Sequence, residues 1–172
     1  TAAPHLPGGG IDKLGQRQTN SMAATIRRAT PQDAPQWLNL VQSVLGPEYP
    51  SKEIYDPAWI SVQLDSASGN ETWVADTGAQ LTASVSFLKA RSNDSGAVAN
   101  LGRNLNRPER FADGSTEMLM RKIDELAQSR SQMAVNRVSI LDNQLQVWME
   151  NLDYVCVGCR PLQQLFQARM GA

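Results

Sequence analysis

Residues 107–127, with the sequence RPERFADGSTEMLMRKIDELA, decide the fold class of this 172-residue chain. The stretch opens with a polar loop, turns at Gly114 and continues into a long helix predicted from Ser115 to Arg130. A glycine-bearing turn at the start of a helix offers unpaired N–H groups and the positive end of the helix dipole, which suits an anion such as a phosphate. A strand predicted at residues 97–105 precedes the loop, so the stretch is typical of a strand–turn–helix unit.

The segment before this unit predicts one strand and two helices. TIRRA at residues 25–29 favours a short strand. Thr30 is a suitable N-cap, Pro31 fits the first helical position, and Asp33 completes a capping box. A second helix is predicted over residues 56–64. Apolar residues of the first helix recur at helical spacing: Ala34, Trp37, Leu38, Val41, Val44 and Leu45.

A β-meander is predicted between these helices and the fold-deciding stretch. ETWVA at residues 71–75 and QLTASVSFLK at residues 80–89 favour two strands joined by a hairpin turn. Apolar and polar residues alternate along the second strand. This alternation predicts a solvated face that carries Thr82, Ser84 and Ser86.

The C-terminal third predicts alternating helices and strands. One face of the long helix is predicted to carry Met118, Leu119, Ile123, Leu126 and Ala127. A strand (VNRVSIL), a helix (DNQLQVWMENL), a strand (YVCVGC) and one further strand follow. The residues predicted to be buried in these strands are Val138, Ile140, Val155 and Val157. The element order predicts an α/β fold with a mixed sheet of six or seven strands and helices on both faces.

The composition indicates a globular domain without a strongly charged partner. Apolar residues make up 41% of the chain, and 16 basic against 17 acidic side chains give a formal net charge of −1. This balance gives no electrostatic reason to expect nucleic acid or an anionic membrane as a partner. No apolar run approaches the roughly 18 residues that a membrane helix needs. With two cysteines only, a reducing cytoplasm is the expected compartment.

The first 22 residues differ from the rest, with a polar, glycine- and proline-containing sequence and the single histidine, His5. This composition predicts a flexible N-terminal extension or a remnant of an expression vector, with Met22 as a candidate natural start. Residues 23–172 are predicted to form a single domain.

The two cysteines, Cys156 and Cys159, have the spacing CxxC. A zinc site needs about four ligands, and the sequence has no second cysteine pair and no histidine after His5. A thioredoxin-type redox pair lies at a helix N-terminus, whereas this pair falls in a predicted strand. Residues three apart point to opposite faces of a regular strand. We therefore expect neither a disulfide nor a metal ion at these cysteines.

Three stretches of the chain resemble the GNAT superfamily of acyl-CoA-dependent N-acyltransferases. IRRATPQDA, residues 26–34, is similar to the first strand and helix start of many members. Residues 107–127 resemble the acetyl-CoA motif PExRGxGxGxxLL and its helix, and residues 142–158 resemble the late helix and its exit. The similarity covers about residues 25–166. It implies a GNAT fold, in which the fourth strand splays away from the fifth and leaves a slot for pantetheine.

The resemblance also implies ligands and site residues. Acetyl-CoA or another acyl-CoA would be the co-substrate, without a metal, and the acceptor would be an amine of a small molecule or a protein; the hypothesis allows a homodimer. The residues implied to bind the pyrophosphate are Arg110, Phe111, Ala112, Asp113, Gly114, Ser115 and Thr116. Asn100, Arg103 and Asn104 of the fourth strand would line the acceptor cleft. A backbone N–H there would stabilise the oxyanion that forms when the amine attacks the thioester.

Several positions depart from the family pattern. Phe111 stands where the motif has Arg or Gln, and Thr116 replaces its second glycine. Met149 occupies the position at which many members have a tyrosine general acid, and a thioether has no proton to donate. The fourth strand carries no carboxylate, so Glu109 in the following loop is the nearest candidate base, with bound water as the alternative.

Two functions therefore stay open. The first is an acyl-CoA-dependent N-acyltransferase that transfers an acetyl group to an amine by direct attack. The second is a catalytically inactive GNAT-like binding or regulatory module, either with or without a bound CoA-type ligand. The four tryptophans lie on apolar faces and are predicted to be core residues: Trp37, Trp59, Trp73 and Trp148.

Overall fold

The computed structural model describes residues 23–47, 49–89, 98–130, 133–139, 143–160 and 164–170. For a subset of these only the backbone path is described, namely residues 110–111, 137–139, 143–144, 156–160 and 164–170. The predicted N-terminal extension, residues 1–22, lies outside the described residues.

Strands and helices follow each other in the order that the sequence predicts. The strands are β1 (Thr25–Arg28), β2 (Glu71–Asp76), β3 (Leu81–Phe87), β4 (Val98–Asn106), β5 (Met133–Ser139), β6 (Val155–Arg160) and β7 (Gln164–Met170). The α-helices are α1 (Ala34–Leu45), α2 (Pro57–Leu64), α3 (Ser115–Arg130) and α4 (Asn143–Asn151).

All these strands join one mixed sheet in the order β1-β2-β3-β4-β5-β7-β6. β4 and β5 are parallel, and every other neighbouring pair is antiparallel. Helix α3 provides the crossover connection that a parallel pair requires. The predicted α/β fold with a mixed sheet of six or seven strands is confirmed, with seven strands observed.

The sheet separates two apolar layers, as predicted for helices on both faces. On the α3/α4 face, buried side chains of these helices such as Leu119 and Ile123 pack on Val85 and its neighbours. On the α1/α2 face, Trp37 and other buried residues of α1 and α2 pack on Leu105 and its neighbours. The candidate ligand groups divide between these two faces.

Helix α1 is tied to the edge strand β1 by a capping box and an ion-pair cluster. The Asp33 carboxylate accepts hydrogen bonds from the backbone N of Thr30 at 2.8 Å and from its Oγ1 at 3.0 Å. Arg27 donates to the same carboxylate at 2.7 and 2.9 Å, and its Nε donates to Asp76 at 2.9 Å. The hydrogen bond from Arg27 lowers the pKa of Asp33 from 3.8 to about 2, and its partner carboxylates raise the pKa of Arg27.

The predicted solvated face of β3 is wrong. Thr82, Ser84 and Ser86 are all fully buried. The hydroxyls are bonded inside the protein: Trp37 Nε1 donates to Ser84 Oγ at 3.1 Å, and the hydroxyls of Thr72 and Ser86 lie 2.8 Å apart. A period of two marks the two faces of a strand, but it does not show whether helices cover the polar face.

The predicted apolar face of α3 is wrong at one position. Met118 is 48% exposed, whereas Met120 is buried. At 100° per residue, Met120 lies about 60° from Ile123 and about 20° from the buried Ala127, whereas Met118 lies about 140° from Ile123. The core-facing stripe therefore includes Met120 in place of Met118.

The CxxC sequence forms the edge strand β6, as predicted, but this strand is irregular. Its register with β7 shifts between Cys156 and Gly158, so the alternation rule for a regular strand does not decide which way the cysteines point. The structure does not describe the side chains of the two cysteines, of Val138 or of Val157, and residue 140 lies outside the described residues. The predictions for these positions therefore stay predictions. Val155 is 62% exposed, so its predicted burial is wrong; an edge strand is covered less completely than a central one.

No helix in the described ranges is long and apolar enough to span a membrane. Within the same ranges, no three His, Cys, Asp or Glu side chains are grouped closely enough to hold a metal ion.

Candidate functional site between strands β4 and β5

Strand β4 consists of two different halves. Its first half is registered in parallel with β5, and this register ends at Leu101 and Asn136. Its second half, residues 102–106, stays registered with β3 but has no registered partner in the described part of β5. The two central strands therefore separate, and a gap opens between them at the C-terminal end of β4.

A β-bulge lies where the strands separate. Ser84 pairs with Leu105 and Ser86 pairs with Gly102, so three steps along β4 oppose two steps along β3. Within the bulge, Arg103 has a φ of 53°, in the left-handed region that non-glycine residues rarely adopt. This conformation costs about 1–2 kcal/mol. Bulges re-aim side chains, and strained residues of this kind cluster at functional sites.

The bulge directs the Arg103 side chain against helix α2. Its guanidinium lies over the Trp59 ring at 5.2 Å from the centroid, and its Nη2 donates to Gln63 Oε1 at 2.8 Å. Asn70 Nδ2 donates to the same Gln63 oxygen at 3.0 Å. Burial lowers the pKa of Arg103, although a guanidinium remains charged at neutral pH.

Side chains bridge the gap where the backbone ladder ends. Asn104 Nδ2 donates to Asn136 Oδ1 at 2.8 Å, and Asn136 Nδ2 lies 3.4 Å from the sulfur of Met149. Asn136 and Met149 are fully buried. The bridge therefore runs from β4 through β5 to α4. At its end, Met149, which stands where the GNAT pattern has a tyrosine, accepts a hydrogen bond and has no proton to donate.

The loop predicted to bind pyrophosphate leads directly from the open half of β4 into α3. Pro108–Asp113 forms a 3-10 helix, and Gly114 follows with a φ of 76°. A Cβ added at Gly114 would meet no atom within 4 Å, so the approach to this backbone is open. Asp113 Oδ1 accepts a hydrogen bond from the Ser115 N–H at 2.9 Å, which engages one of the first donors of the helix. Ala112 is exposed, and Arg110 and Phe111 are described by their backbone only.

Buried polar atoms collect beside the start of α3. Thr82 Oγ1 donates to Ser115 Oγ at 3.1 Å, and Asn106 pairs in register with Ala83, the next residue of β3. Thr116 Oγ1 and both polar side-chain atoms of Asn106 are buried without a hydrogen-bond partner in the described structure. Such atoms are rare because each costs about 1–3 kcal/mol. They are the kind of group that a polar ligand satisfies.

The candidate base Glu109 lies on the surface of the loop. Its side chain is 61% exposed, and its Oε1 lies 3.6 Å from Nη1 of Arg107. Arg107 itself is buried, where it donates to the Leu81 carbonyl at 3.1 Å and to Asn39 at 2.8 Å. The last predicted site residue, Asn100, lies in the paired half of β4 and is half-buried.

A groove of about 100 Å³ lies between α3 and α4, on the α3/α4 face. Its lining residues are Glu117, Met120, Arg121, Trp148, Asn151 and Leu152. Trp148 lines this groove and, like Trp73, is half-buried against the core of the α3/α4 face. Trp59 is half-buried against the core of the α1/α2 face, under Arg103. Trp37 is a core residue, as predicted.

Three residues of the site are brought together by the fold and carry no signal in the family motifs. Asn136 and Asn106 have no family motif to mark them, and Gln63 reaches Arg103 from 40 residues away. One signal was available for Asn136. It occupies the buried face of β5 together with Ala134, where an amide needs a partner.

Several solved structures with a similar fold are acetyltransferases. A GNAT-family acetyltransferase from Streptococcus pneumoniae has a TM-score of 0.70 at 12% identity, over 87% of this chain and 99% of its own. The PaiA N-acetyltransferase from Thermoplasma acidophilum, solved in complex with coenzyme A, has a TM-score of 0.69 at 10% identity, over 87% and 99%. A chimera of the Vibrio cholerae spermidine N-acetyltransferase SpeG has a TM-score of 0.66 at 13% identity, over 86% and 95%. No protein-family model and no curated protein sequence matches the chain.

Proposed function

Because this chain has the GNAT fold, we propose that it is an acyl-CoA-dependent N-acyltransferase that transfers an acetyl group from acetyl-CoA to an amine. One observation carries the proposal: β4 separates from β5 at the end where the loop enters helix α3. This arrangement supports a slot for the pantetheine chain of acetyl-CoA at the same end of the sheet as the start of α3, where backbone N–H groups would receive the CoA phosphates.

The proposed reaction is a direct attack on the thioester. The amine nitrogen forms a bond to the carbonyl carbon, and the bond between that carbon and sulfur breaks. The nitrogen loses one proton to Glu109 or to bound water, and one proton ends on the CoA thiolate, so atoms and charges balance. Glu109 supports this role by its exposed carboxylate beside the gap-forming strand, and Met149 is unsuited to deliver the proton to sulfur.

Pyrophosphate binding is proposed at residues 110–116. Gly114 supports it, since the backbone there is open to approach, and Thr116 and Asn106 offer buried polar atoms without partners in the described structure. Backbone N–H groups at the first turn of α3 would supply the principal donors.

One observation favours the second candidate, the inactive module. The Asp113 carboxylate already accepts a hydrogen bond from Ser115 N and places a negative charge where a pyrophosphate would bind. Like charges at one helix N-terminus repel, so this contact weakens an anion site. The first candidate is preferred because the gap, the open glycine and the unpaired polar atoms occur together.

Two glycines provide a matched test. Gly114 and Gly69 both adopt the left-handed region, with φ and ψ of 76° and −2° at Gly114 and of 77° and 2° at Gly69. Gly69 ends the short 3-10 helix Ser66–Ser68, however, whereas Gly114 precedes α3. A Cβ at Gly69 would meet only the flexible side chain of Lys89, at 3.1 Å. Gly114→Ala and Gly69→Ala should therefore lose similar stability, about 1 kcal/mol each. Only Gly114→Ala should weaken acetyl-CoA binding, because its methyl group occupies the space that a phosphate oxygen needs.

Calorimetric titration of acetyl-CoA against wild type and both variants measures this effect, with acetyl transfer to a panel of amines followed in parallel. Acetyl-CoA binding without transfer to any amine would favour the inactive module. No binding to wild type would exclude the acyltransferase and leave the inactive module, without a CoA-type ligand, as the remaining candidate.

A further inference from the structure

Arg103 carries a positive charge that the described structure does not neutralise. Its recorded contacts are the Trp59 ring and the amide oxygen of Gln63. No carboxylate forms an ion pair with it among the described residues, although Arg27, Arg107, Arg121 and Arg130 all have one. A half-buried cation without a counter-ion is costly, and the fold adds the cost of a left-handed backbone to it.

Arg130, the last residue of helix α3, shows what a structural version of this contact looks like. Arg130 also lies 5.2 Å from the centroid of an aromatic ring, that of Phe87. It is exposed, however, and its Nη1 is 3.0 Å from Glu71 Oε2. An arginine stacked on an aromatic ring can therefore pair with a carboxylate at the same time. The stacking on Trp59 does not explain why Arg103 has no carboxylate partner among the described residues.

The surroundings of Arg103 fit a carboxylate ligand. Trp59 and Gln63 hold the plane of the guanidinium on one side. Within the described part of the chain, one of its five N–H donors bonds to Gln63 and the other four have no recorded hydrogen bond. A guanidinium held in this way presents two parallel donors to a carboxylate. Asn70 binds the same oxygen of Gln63, so the amide keeps its acceptor turned to Arg103.

The position of Arg103 separates this charge from the CoA phosphates. Its contacts are with α2, on the α1/α2 face, whereas the start of α3 is seated through Ser115 on the opposite face. A pantetheine chain that enters the gap from the α3/α4 face fills that side of the sheet. The amine must then reach the thioester from the face on which Arg103 lies.

We infer that Arg103 binds a carboxylate of the acceptor, so that the preferred acceptor is an amine that also carries a carboxylate, as an amino acid does. This inference rests on the proposed function, because it names the substrate class of the same reaction. Arg103 is a specificity-determining residue here and takes no part in the proton transfers. A second ammonium group, as in a polyamine, would be repelled at the same place.

The test compares amines that differ only in a carboxylate. The pairs are L-lysine and cadaverine, L-ornithine and putrescine, and γ-aminobutyrate and n-propylamine, each assayed with acetyl-CoA. Wild type is expected to favour the carboxylate member of a pair in kcat/KM. Arg103→Gln should lose about 10- to 100-fold on that member, as for a charged hydrogen-bonded contact, while its acetyl-CoA affinity stays unchanged. Arg103→Lys should keep part of the preference, and the control Arg130→Gln should keep all of it.

The outcomes separate the two proposals. Equal kcat/KM for both members of every pair, or an Arg103→Gln variant that retains the preference, would overturn the inference and leave the acyltransferase function standing. If no amine is acetylated, the same amino acids are titrated against the protein by calorimetry without acetyl-CoA. Binding that disappears in Arg103→Gln then supports the carboxylate site although the transferase proposal fails, and no binding to wild type overturns the site as well.

Discussion

Arg27 on β1 and Arg103 on β4 are both half-buried arginines of the same sheet, but their electrostatic environments are opposite. Arg27 contacts two carboxylates, those of Asp33 and Asp76, and its pKa is raised. Arg103 contacts an indole ring and an amide oxygen, and burial lowers its pKa. Arg27 also belongs to a regular strand, whereas Arg103 occupies a bulge with a left-handed backbone.

The difference separates a structural charge from a candidate binding charge. The fold supplies the partners of Arg27, so this cluster ties β1 to α1 and stabilises the native state. The described fold supplies no counter-charge to Arg103 and holds it in a strained conformation, which lowers stability. A perturbed charge beside a cleft is a marker of functional sites, whereas a fully paired charge is a marker of structural ones.

The largest expected effect is the loss of the Arg27 partner. Asp33→Ala removes two hydrogen bonds from the guanidinium and the capping box at Thr30. The free energy of unfolding should fall by about 2–3 kcal/mol, measured by urea denaturation followed by circular dichroism. Glu125→Ala, which breaks the exposed pair with Lys122, is the control and should cost less than about 0.5 kcal/mol. Equal losses for the two variants would contradict the structural role of the cluster.

A second prediction concerns acid. The pKa of Asp33 is lowered from 3.8 to about 2 in the folded protein, so its contribution to stability is complete above pH 4 and is lost as the pH falls through 2. Solvent screening at the partly exposed Arg27 limits this contribution to about 1 kcal/mol. The stability difference between wild type and Asp33→Asn should therefore be constant from pH 7 to pH 5 and shrink between pH 4 and pH 2. A stability difference that stays constant down to pH 2 would show that ionisation of Asp33 does not contribute to stability.

A third prediction isolates the strained backbone at Arg103. Arg103→Gly should be more stable than Arg103→Gln by about 1 kcal/mol, because glycine adopts a φ of 53° without steric cost. The same pair of substitutions at Arg121, an exposed position inside α3, should give the opposite sign by about 1 kcal/mol. Thermal unfolding of the four variants measures both differences. The same sign at both positions would show that backbone strain at Arg103 does not cause the stability difference.

The smallest expected effect lies at the start of α3, where a carboxylate occupies the candidate anion site. Asp113→Asn keeps an oxygen for the Ser115 N–H but removes the negative charge. Acetyl-CoA affinity should rise about 2- to 5-fold, and the gain should shrink at high salt. Asp56→Asn, which alters the corresponding cap of α2, should leave the affinity unchanged. A gain in both variants, or in neither, would show that Asp113 does not compete with the phosphates.

The elements could be predicted from the sequence because their signals are local. The capping box at Thr30 and Asp33, the spacing of Leu119 and Ile123, and the turn at Gly114 each depend on a few neighbouring residues. Errors arose where a pattern fits two environments. Ser84 and Ser86 alternate with apolar residues whether a helix covers them or water does. The candidate loop was found through its glycine and its likeness to a family motif, and its role in binding remains a proposal.

The order of the elements, the mixed sheet and the helix that follows Gly114 can therefore be predicted from the sequence, because hydrophobic period and capping act over a few residues. Which polar side chains meet depends on the folded arrangement. Arg103 bonds to Gln63 from 40 residues away, and Asn104 bonds to Asn136 from 32 residues away. These contacts depend on one bulge in β4 and on the point where its register with β5 ends. Register and bulges result from packing summed over the whole sheet, which no short stretch of sequence specifies.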